Sequence, residues 1–354
     1  MDLTYDTIIV GAGSSGAALA SRLSEDPARS VLIVEAGPDY FTLEETPEEV
    51  RRALPRDILL TGKLLGFDSP HDWTYTAKAT EEVGEMPLPR GRAVGGSSAV
   101  NSSIFLRGVP EDYDDWAAAG NEEWSFGQLL PYLRDLEADA DFTNDFHGKS
   151  GPTPVTRPGP ETWAVEQGAF YRACLAAGYA HCADHNDPDS TGVGPLPFNI
   201  SDGIRWSTAI AYLNDNRDRP NLTILAGSLV HRVLVEDGRA TGVEVKRDGK
   251  LVKVHTGEVI LSAGAIGSPQ TLLLSGIGPH ADLEKLGIEV KHDLSGVGRN
   301  LWDHPQLPVT FSTFGNAGDE SVQRLQVGLR YTASGSGLRN DMFLIPARFT
   351  SHAA

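Results

Sequence analysis

DTIIVGAGSSGAALASRLSEDPARSVLIVEA, residues 6–36, reads as strand, glycine turn, helix, second strand and terminal acid. The apolar run Ile8 to Val10 suits a strand buried on both faces, and Gly11-Ala-Gly13-Ser-Ser-Gly16 opens a small-residue helix from Ala17 to Leu23. In this arrangement Gly11 serves the tight turn, Gly13 lets a pyrophosphate approach the backbone, and Gly16 allows helix and strand to pack closely. The helix N-terminus adds free N–H groups and the positive end of a dipole. Glu35 follows Gly16 by nineteen residues. At the tip of the neighbouring strand its carboxylate can accept hydrogen bonds from a ribose diol, which favours an adenosine without a 2′-phosphate. No Gly-Lys-Ser/Thr follows the turn, which excludes a Walker loop, and the absence of Gly-x-Ser-x-Gly weighs against a serine hydrolase.

Composition sets the outer limits. A chain of 354 residues can bury a large core and implies two domains, or one with a second interleaved. Glycine (38) and proline (22) are abundant enough to predict many turns and long ordered excursions. A net charge of −18 argues against nucleic acid and anionic membrane surfaces as partners, because phosphate binding depends on basic patches. The acid runs Glu111 to Asp115 and Asp135 to Asp145 read as solvated faces. MDLTYD enters the first strand at once, leaving no room for a basic, apolar signal sequence, so the expected location is cytoplasmic. No stretch approaches the apolar length of a membrane span. Cys174 and Cys182 read as free thiols in a reducing compartment.

Beyond Ala36-Gly37-Pro38 the chain makes a long, mixed excursion to about Pro89. Leu129, Leu130, Leu133 and Leu136 fall at helical spacing and predict an amphipathic helix over Gln128 to Glu137. Strands are expected at Leu229 to Glu236, Ala240 to Lys246 and Leu251 to His255. Asp237-Gly238 and Asp248-Gly249, which separate them, favour tight hairpin turns, so the three form an antiparallel meander. A buried strand follows Glu258, and Ser268-Pro269 read as the N-cap and first residue of a helix stopping at Gly276. Val309 to Thr313 and Met342 to Phe349 look like further strands, after which Ala354 gives the impression of an interrupted domain.

A second signature lies at Gly91-RAVGGSSAVNSSIFLRG to Gly108. Gly95-Gly96 with Ser97 and Ser98 can present backbone N–H groups and hydroxyls to anionic or carbonyl oxygens, and Asn101 can both donate and accept. Taken with GAGSSG and Glu35, Gly264-AIGSPQTLLLSGIG to Gly278, and Val297-GRNLWDH to His304, this segment resembles the glucose-methanol-choline (GMC) flavoprotein oxidoreductases. Asp72-Trp73 with Tyr75 and Gly203-IRWSTAIAYL to Leu213 agree as well, so the likeness spans essentially the whole chain.

The resemblance implies an α/β fold: an FAD-binding, Rossmann-like parallel sheet with a small antiparallel β-meander, plus an incomplete α+β substrate domain. Its expected boundaries are 1–304 for the FAD-binding domain, with excursions at about 38–89 and 155–204 towards the substrate side, and 305–354 for the start of the substrate domain. By the same resemblance, Gly11, Gly13, Ser15 and Gly16 would hold the FAD pyrophosphate, and Glu35 with Ala36 the adenosine ribose side. Arg92, Val94, Gly96, Ser97 and Asn101 would line the pyrophosphate and isoalloxazine side. Val230 would meet the adenine through its backbone, and Ala263 and Gly264 would approach from the late strand. Some family members attach FAD through a histidine just before the motif asparagine. That position is Val100 here, so noncovalent FAD is expected.

The implied reaction oxidises the CH–OH group of a small-molecule alcohol, with hydride passing to flavin N5 and a histidine taking the proton. In the family that histidine and its partner sit in a C-terminal segment beyond residue 354, so no catalytic residue is assigned here. Oxygen, a quinone or a carrier protein all remain open as electron acceptor. A flavin-binding protein without turnover and a hydroxynitrile lyase on the same scaffold are the competing readings. Among the histidines, His181 and His185 with Cys182, Asp184 and Asp187 have conceivable metal spacing but sit in an irregular loop, so no metal is assigned. His304 reads as part of a structural turn with Asn300 and Asp303. His71 and His147 read as surface or loop residues.

Overall fold

The computed structural model describes residues 4–53, 69–78, 80–82, 84–310 and 325–347. They fall into two units. The first gathers the described residues of Met1–Pro47, Leu64–Val100 and Ser207–Phe314, and the second those of Glu48–Lys63, Asn101–Trp206 and Gly315–Ala354. No helix among them is long and apolar enough to cross a membrane.

The first unit is built on a four-stranded parallel sheet in the order Leu222–Leu225, Val31–Val34, Thr7–Val10, Val259–Leu261. Thr7–Val10 and Val31–Val34 occupy its centre and are buried along their whole length, which is why both read as continuous apolar runs. Helix Ser14–Leu23 covers one face, where Ala17 and Ala20 pack with Ile9, Ile33 and Leu213. Ile8, Leu32 and Val34 point to the other face and meet Val230, Val243, Val245 and Val254 of a second sheet.

That second sheet is the expected meander: Leu229–Glu236, Arg239–Arg247 and Lys250–Thr256 pair antiparallel in sequence. Both Asp-Gly turns have positive φ at each residue, the twist that closes a two-residue hairpin. Thr4–Tyr5 adds a parallel edge to it, pairing with His255 and Thr256. The α/β class with a parallel sheet and a small meander is therefore the observed one.

Several local expectations shift. Helix Gly264–Leu274 begins four residues before Ser268, and Pro269 lies inside its first turns. Ser268 is no cap: its Oγ accepts from Ala263 N at 3.1 Å, bracing the entry to the helix. The amphipathic helix runs Phe126–Asp135, and Glu137 instead opens a short strand. Met342–Leu344 is a strand and Ile345 to Ala347 are not, Val309 and Thr310 belong to no strand, and Phe311 to Thr313 and Arg348 to Ala354 lie outside the described residues.

In the second unit Gly192–Pro195, Val327–Tyr331 and Met342–Leu344 form an antiparallel sheet, packed on helix Val165–Ala176 through Val193, Val327, Leu329 and Cys174. Both cysteines are free and buried. The largest correction also lies here. Glu137, Asp139 and His147 are almost fully buried rather than solvated, as is His71 in the first unit.

Candidate dinucleotide site

The glycine turn and the second signature interlock, and the contacts show what each glycine is for. Gly11 sits at φ +96°, and a Cβ there would lie 2.6 Å from Ser262 O and 2.9 Å from Ala263 Cα, at the end of the late strand. A Cβ on Gly16 would meet Gly11 O at 1.9 Å, so helix and turn touch only because neither side chain exists. Gly96, at φ +53°, places its Cα against Gly13; a Cβ on it would stand 2.6 Å from Gly13 Cα. Gly13 differs. Its φ of −77° suits any residue, and a Cβ would have only Gly96 Cα near it, at an ordinary 3.7 Å.

The helix Ser14–Leu23 therefore starts beside a glycine that no contact among the described residues requires to be small. No side chain caps it, no acid occupies its first turn, and Ser14 and Ser15 are exposed. Uncapped N–H groups at a helix N-terminus suit an anion. Gly95 N donates to Ala12 O at 2.8 Å and Val94 N to Pro38 O at 2.9 Å, which clamps the second signature onto the turn. Its 3₁₀ turn Gly96–Ala99 is tied by Ser98, whose Oγ donates to Gly95 O at 2.6 Å and accepts from Thr208 N at 3.0 Å. Ser97 is exposed, with its Oγ accepting from Gly91 N at 3.2 Å.

Glu35 is buried, and its two oxygens are partly committed: Oε2 accepts from Ala12 N at 3.0 Å and Oε1 from Gly37 N at 2.8 Å. Burial pushes its carboxyl above the usual range, and the Gly37, Ala12 and Ala36 N–H groups and the Arg92 charge offset this only in part. A carboxylate offers about four acceptor positions, so Glu35 keeps acceptor capacity for a ribose hydroxyl beyond these three N–H groups. Arg92 lies over the Trp73 ring at 5.5 Å and donates to Ala36 O at 3.4 Å, while Trp73 and Tyr75 stack with centroids 5.7 Å apart. Val230 is buried at the start of the meander, and Gly264, at φ +79°, is exposed.

Thirteen of the fourteen expected residues lie in the first unit. Asn101 opens the second, where it is exposed and its Oδ1 accepts from Ser103 N at 3.0 Å. Two contributors escaped the sequence reading. Gly37 has Arg92 O where a Cβ would stand, at 2.2 Å, and Thr208 holds Ser98. The Gly-Pro after Glu35 was a usable signal for the first; nothing local marks the second.

Two of the histidine candidates meet protein groups through their rings. His181 Nδ1 meets Tyr171 Oη at 3.1 Å, whereas His185 is buried against Cys182 Sγ and the carbonyls of Gly194 and Gly328. Burial foremost, with the Arg330 charge, pushes the His185 imidazole down to about 4. His304 is exposed outside regular secondary structure, its backbone N–H donating to Asp303 Oδ1.

Comparison with known proteins identifies the family. Residues 5–306 match the GMC oxidoreductase family. Mitochondrial choline dehydrogenase of Mus musculus is 38% identical over 344 residues, covering 94% of this chain and 56% of that protein. The 5-(hydroxymethyl)furfural oxidase of Methylovorus sp. is 37% identical over 356 residues, covering 97% and 66%. Among solved structures, pyridoxine 4-oxidase from Mesorbium loti superposes with a TM-score of 0.82 at 32% identity, covering 97% of this chain and 65% of that one. The chain thus spans between 56% and 66% of the length of these three proteins. With the match running through the glycine turn, the second signature and the late strand alike, the chain belongs to the GMC oxidoreductase family.

Proposed function

We propose that the first unit binds FAD noncovalently, and that the protein oxidises the CH–OH group of an alcohol donor. The observation that carries this reading is Gly13: it is the glycine of the turn that the protein's own packing does not require, at the head of an uncapped helix. A cradle left open in this way fits a pyrophosphate, and an acid with spare acceptor capacity beside it fits a ribose.

In this reading the N–H groups at Gly13, Ser14, Ser15 and Gly16 bind the phosphates, and the Ser15 hydroxyl can add a hydrogen bond. Glu35 orients the ribose, with Ala36 alongside. Arg92 supplies a cation held in place by Trp73, and Val94, Gly96 and Ser97 form the facing wall; Asn101 belongs to the same signature segment of the sequence. Val230 offers backbone to the adenine, and Ala263 and Gly264 close the far side. Bound FAD would supply a hydride acceptor at N5 for the carbinol hydrogen. No residue of these 354 is assigned to take the alcohol proton. Residues 305–354 are read as belonging to the substrate side.

The names of the relatives narrow the donor to be tried: choline, 5-(hydroxymethyl)furfural and pyridoxine each carry a primary alcohol. The test has two steps. Reconstituted protein should keep FAD through gel filtration and release all of it to the supernatant on acid precipitation; flavin retained in the pellet overturns noncovalent binding. The protein carrying this chain should then lose its visible flavin absorbance anaerobically with one of these donors. Failure to bind FAD at all refutes the reading.

A further inference from the structure

The second unit contains a buried charge cluster that a dinucleotide site does not use. His147 lies at its centre, about 1% exposed. Its Nδ1 is 2.9 Å from Glu137 Oε1 and 3.0 Å from Asp139 Oδ2, and its Nε2 is 2.8 Å from Asp184 Oδ2. Two guanidiniums close the cluster. Arg107 Nη2 is 2.7 Å from Glu137 Oε1, and Arg157 reaches Asp139 Oδ2 at 2.9 Å through Nη1 and Asp184 Oδ1 at 2.7 Å through Nη2. The Phe142 ring stacks on the imidazole at 5.5 Å, and Asp141, more exposed, lies 3.4 Å from Arg157.

Hydrogen-bond roles settle what His147 must be. An ionised carboxylate only accepts, so a ring nitrogen facing one must carry a proton, and here both ring nitrogens face carboxylates. Charge leads to the same answer. Three carboxylates against two guanidiniums leave one negative charge, and an imidazolium makes the buried cluster neutral. Burial works against the cation, but hydrogen bonds to Asp139, Asp184 and Glu137 and the Asp184 charge outweigh it and lift the imidazole to about 10. Asp139 and Asp184 are both held below the usual range despite burial, through the His147 hydrogen bonds and the Arg157 charge.

We propose that His147 is a permanent imidazolium at ordinary pH and acts as an alkaline-sensitive clasp of the second unit. It ties together segments far apart in sequence: Arg107, the strand Glu137–Asp139, the loop to Gly148, Arg157 after the strand Thr153–Val155, and Asp184. One ligand atom each of Glu137, Asp139 and His147 also lies within 4.8 Å of the others, a spacing that could suit a metal. A divalent cation there would have to displace the Nδ1 proton beside two guanidiniums. The proton fits better. Removing it turns an Nδ1 or Nε2 lone pair toward a carboxylate and leaves a buried, uncompensated charge, which opens the cluster.

The sign follows from linkage. The folded pKa lies above the unfolded value of 6.5, so the stabilisation is complete below 6.5 and is lost as pH rises through about 10. In that window the unfolded-to-folded ratio should rise tenfold per pH unit from this proton alone.

The test uses the whole chain with ¹⁵N-labelled histidine. Of its ten histidines, His147 should show both ring nitrogens protonated at pH 8.5. That signal should vanish in His147→Gln. Should that variant not fold, Asp184→Asn, which removes the negative charge facing Nε2, should instead move the loss of the signal to lower pH. A ring that is a neutral tautomer at pH 8.5 overturns the proposal, as does a stoichiometric metal retained after dialysis.

Discussion

Replacing Gly13 by alanine separates what the chain needs from what its ligand needs. The added methyl would stand 3.7 Å from Gly96 Cα with nothing nearer, and the backbone at φ −77° and ψ −160° already lies where alanine is comfortable. The ligand-free variant should therefore melt with the parent or slightly above it, since Gly→Ala at a compatible position gains about 0.4–1 kcal/mol by restricting the unfolded chain. Binding should move the other way. A methyl at the helix N-terminus holds a phosphate off the N–H groups, and losing one or two charge-assisted hydrogen bonds, each worth about 1.5–3 kcal/mol, weakens FAD by roughly tenfold to roughly twenty-thousandfold. Flavin fluorescence quenching reads the affinity, and thermal unfolding of the ligand-free protein reads the fold. Gly16→Ala is the control, because its methyl would lie 1.9 Å from Gly11 O and must disrupt the turn with or without flavin. Parental affinity in Gly13→Ala would refute the phosphate assignment, and a large fall in its ligand-free melting point would refute the packing argument.

Other expectations follow from single contacts. Ser98→Ala removes the acceptor of Thr208 N and the donor to Gly95 O, so a loss of about 1–3 kcal/mol should appear in urea titrations of the ligand-free protein; an unchanged midpoint would show that the 3₁₀ turn does not depend on it. Glu35→Gln keeps one side-chain acceptor where two N–H groups and a ribose compete, so FAD should bind about tenfold more weakly with its visible spectrum preserved, and equal affinity would remove Glu35 from the site. On the acid side, Asp139 and Asp184 have folded pKa values below the usual 3.8, so their stabilisation is present above that value and is lost as pH falls through the folded values, at about 1.4 kcal/mol per pH unit for each proton. A urea midpoint that stays level from pH 5 to pH 2 would contradict this.

The elements legible in the sequence are those whose partners are dictated by a local pattern. Ile8 to Val10 and Val31 to Val34 are apolar on consecutive residues because both faces of the sheet are covered, and the Asp-Gly pairs fix the hairpins through their own backbone preference. The start of the helix at Gly264 was not legible, because Ser268 and Pro269 form a convincing cap signal whose hydroxyl is instead spent on Ala263 N. Burial of Glu137, Asp139 and His147 was hidden for a different reason. Within Asp135 to Asp145 the acids look solvated, and the groups that compensate them, Arg107 and Arg157, like the Asp184 that pairs with His147, come from elsewhere in the chain.

The glycine fingerprint itself divides under the structure. Gly11, Gly16 and Gly96 are demanded by backbone contacts within the protein, so a sequence could carry them purely to fold. Even Glu35 has an internal task, holding Ala12 N and Gly37 N around the turn. Most of the motif is thus consistent with a tight turn that binds nothing, which is the weakness of reading such motifs by pattern alone. What distinguishes a binding site is the residue the fold does not explain: a small side chain with space in front of it, placed where an uncapped helix directs its N–H groups. Gly13 meets that criterion, and the spare acceptor positions of Glu35 meet it a second time. Two independent surpluses of binding capacity, joined by Gly95 N and Val94 N to a second signature, make the dinucleotide the simplest occupant that uses both.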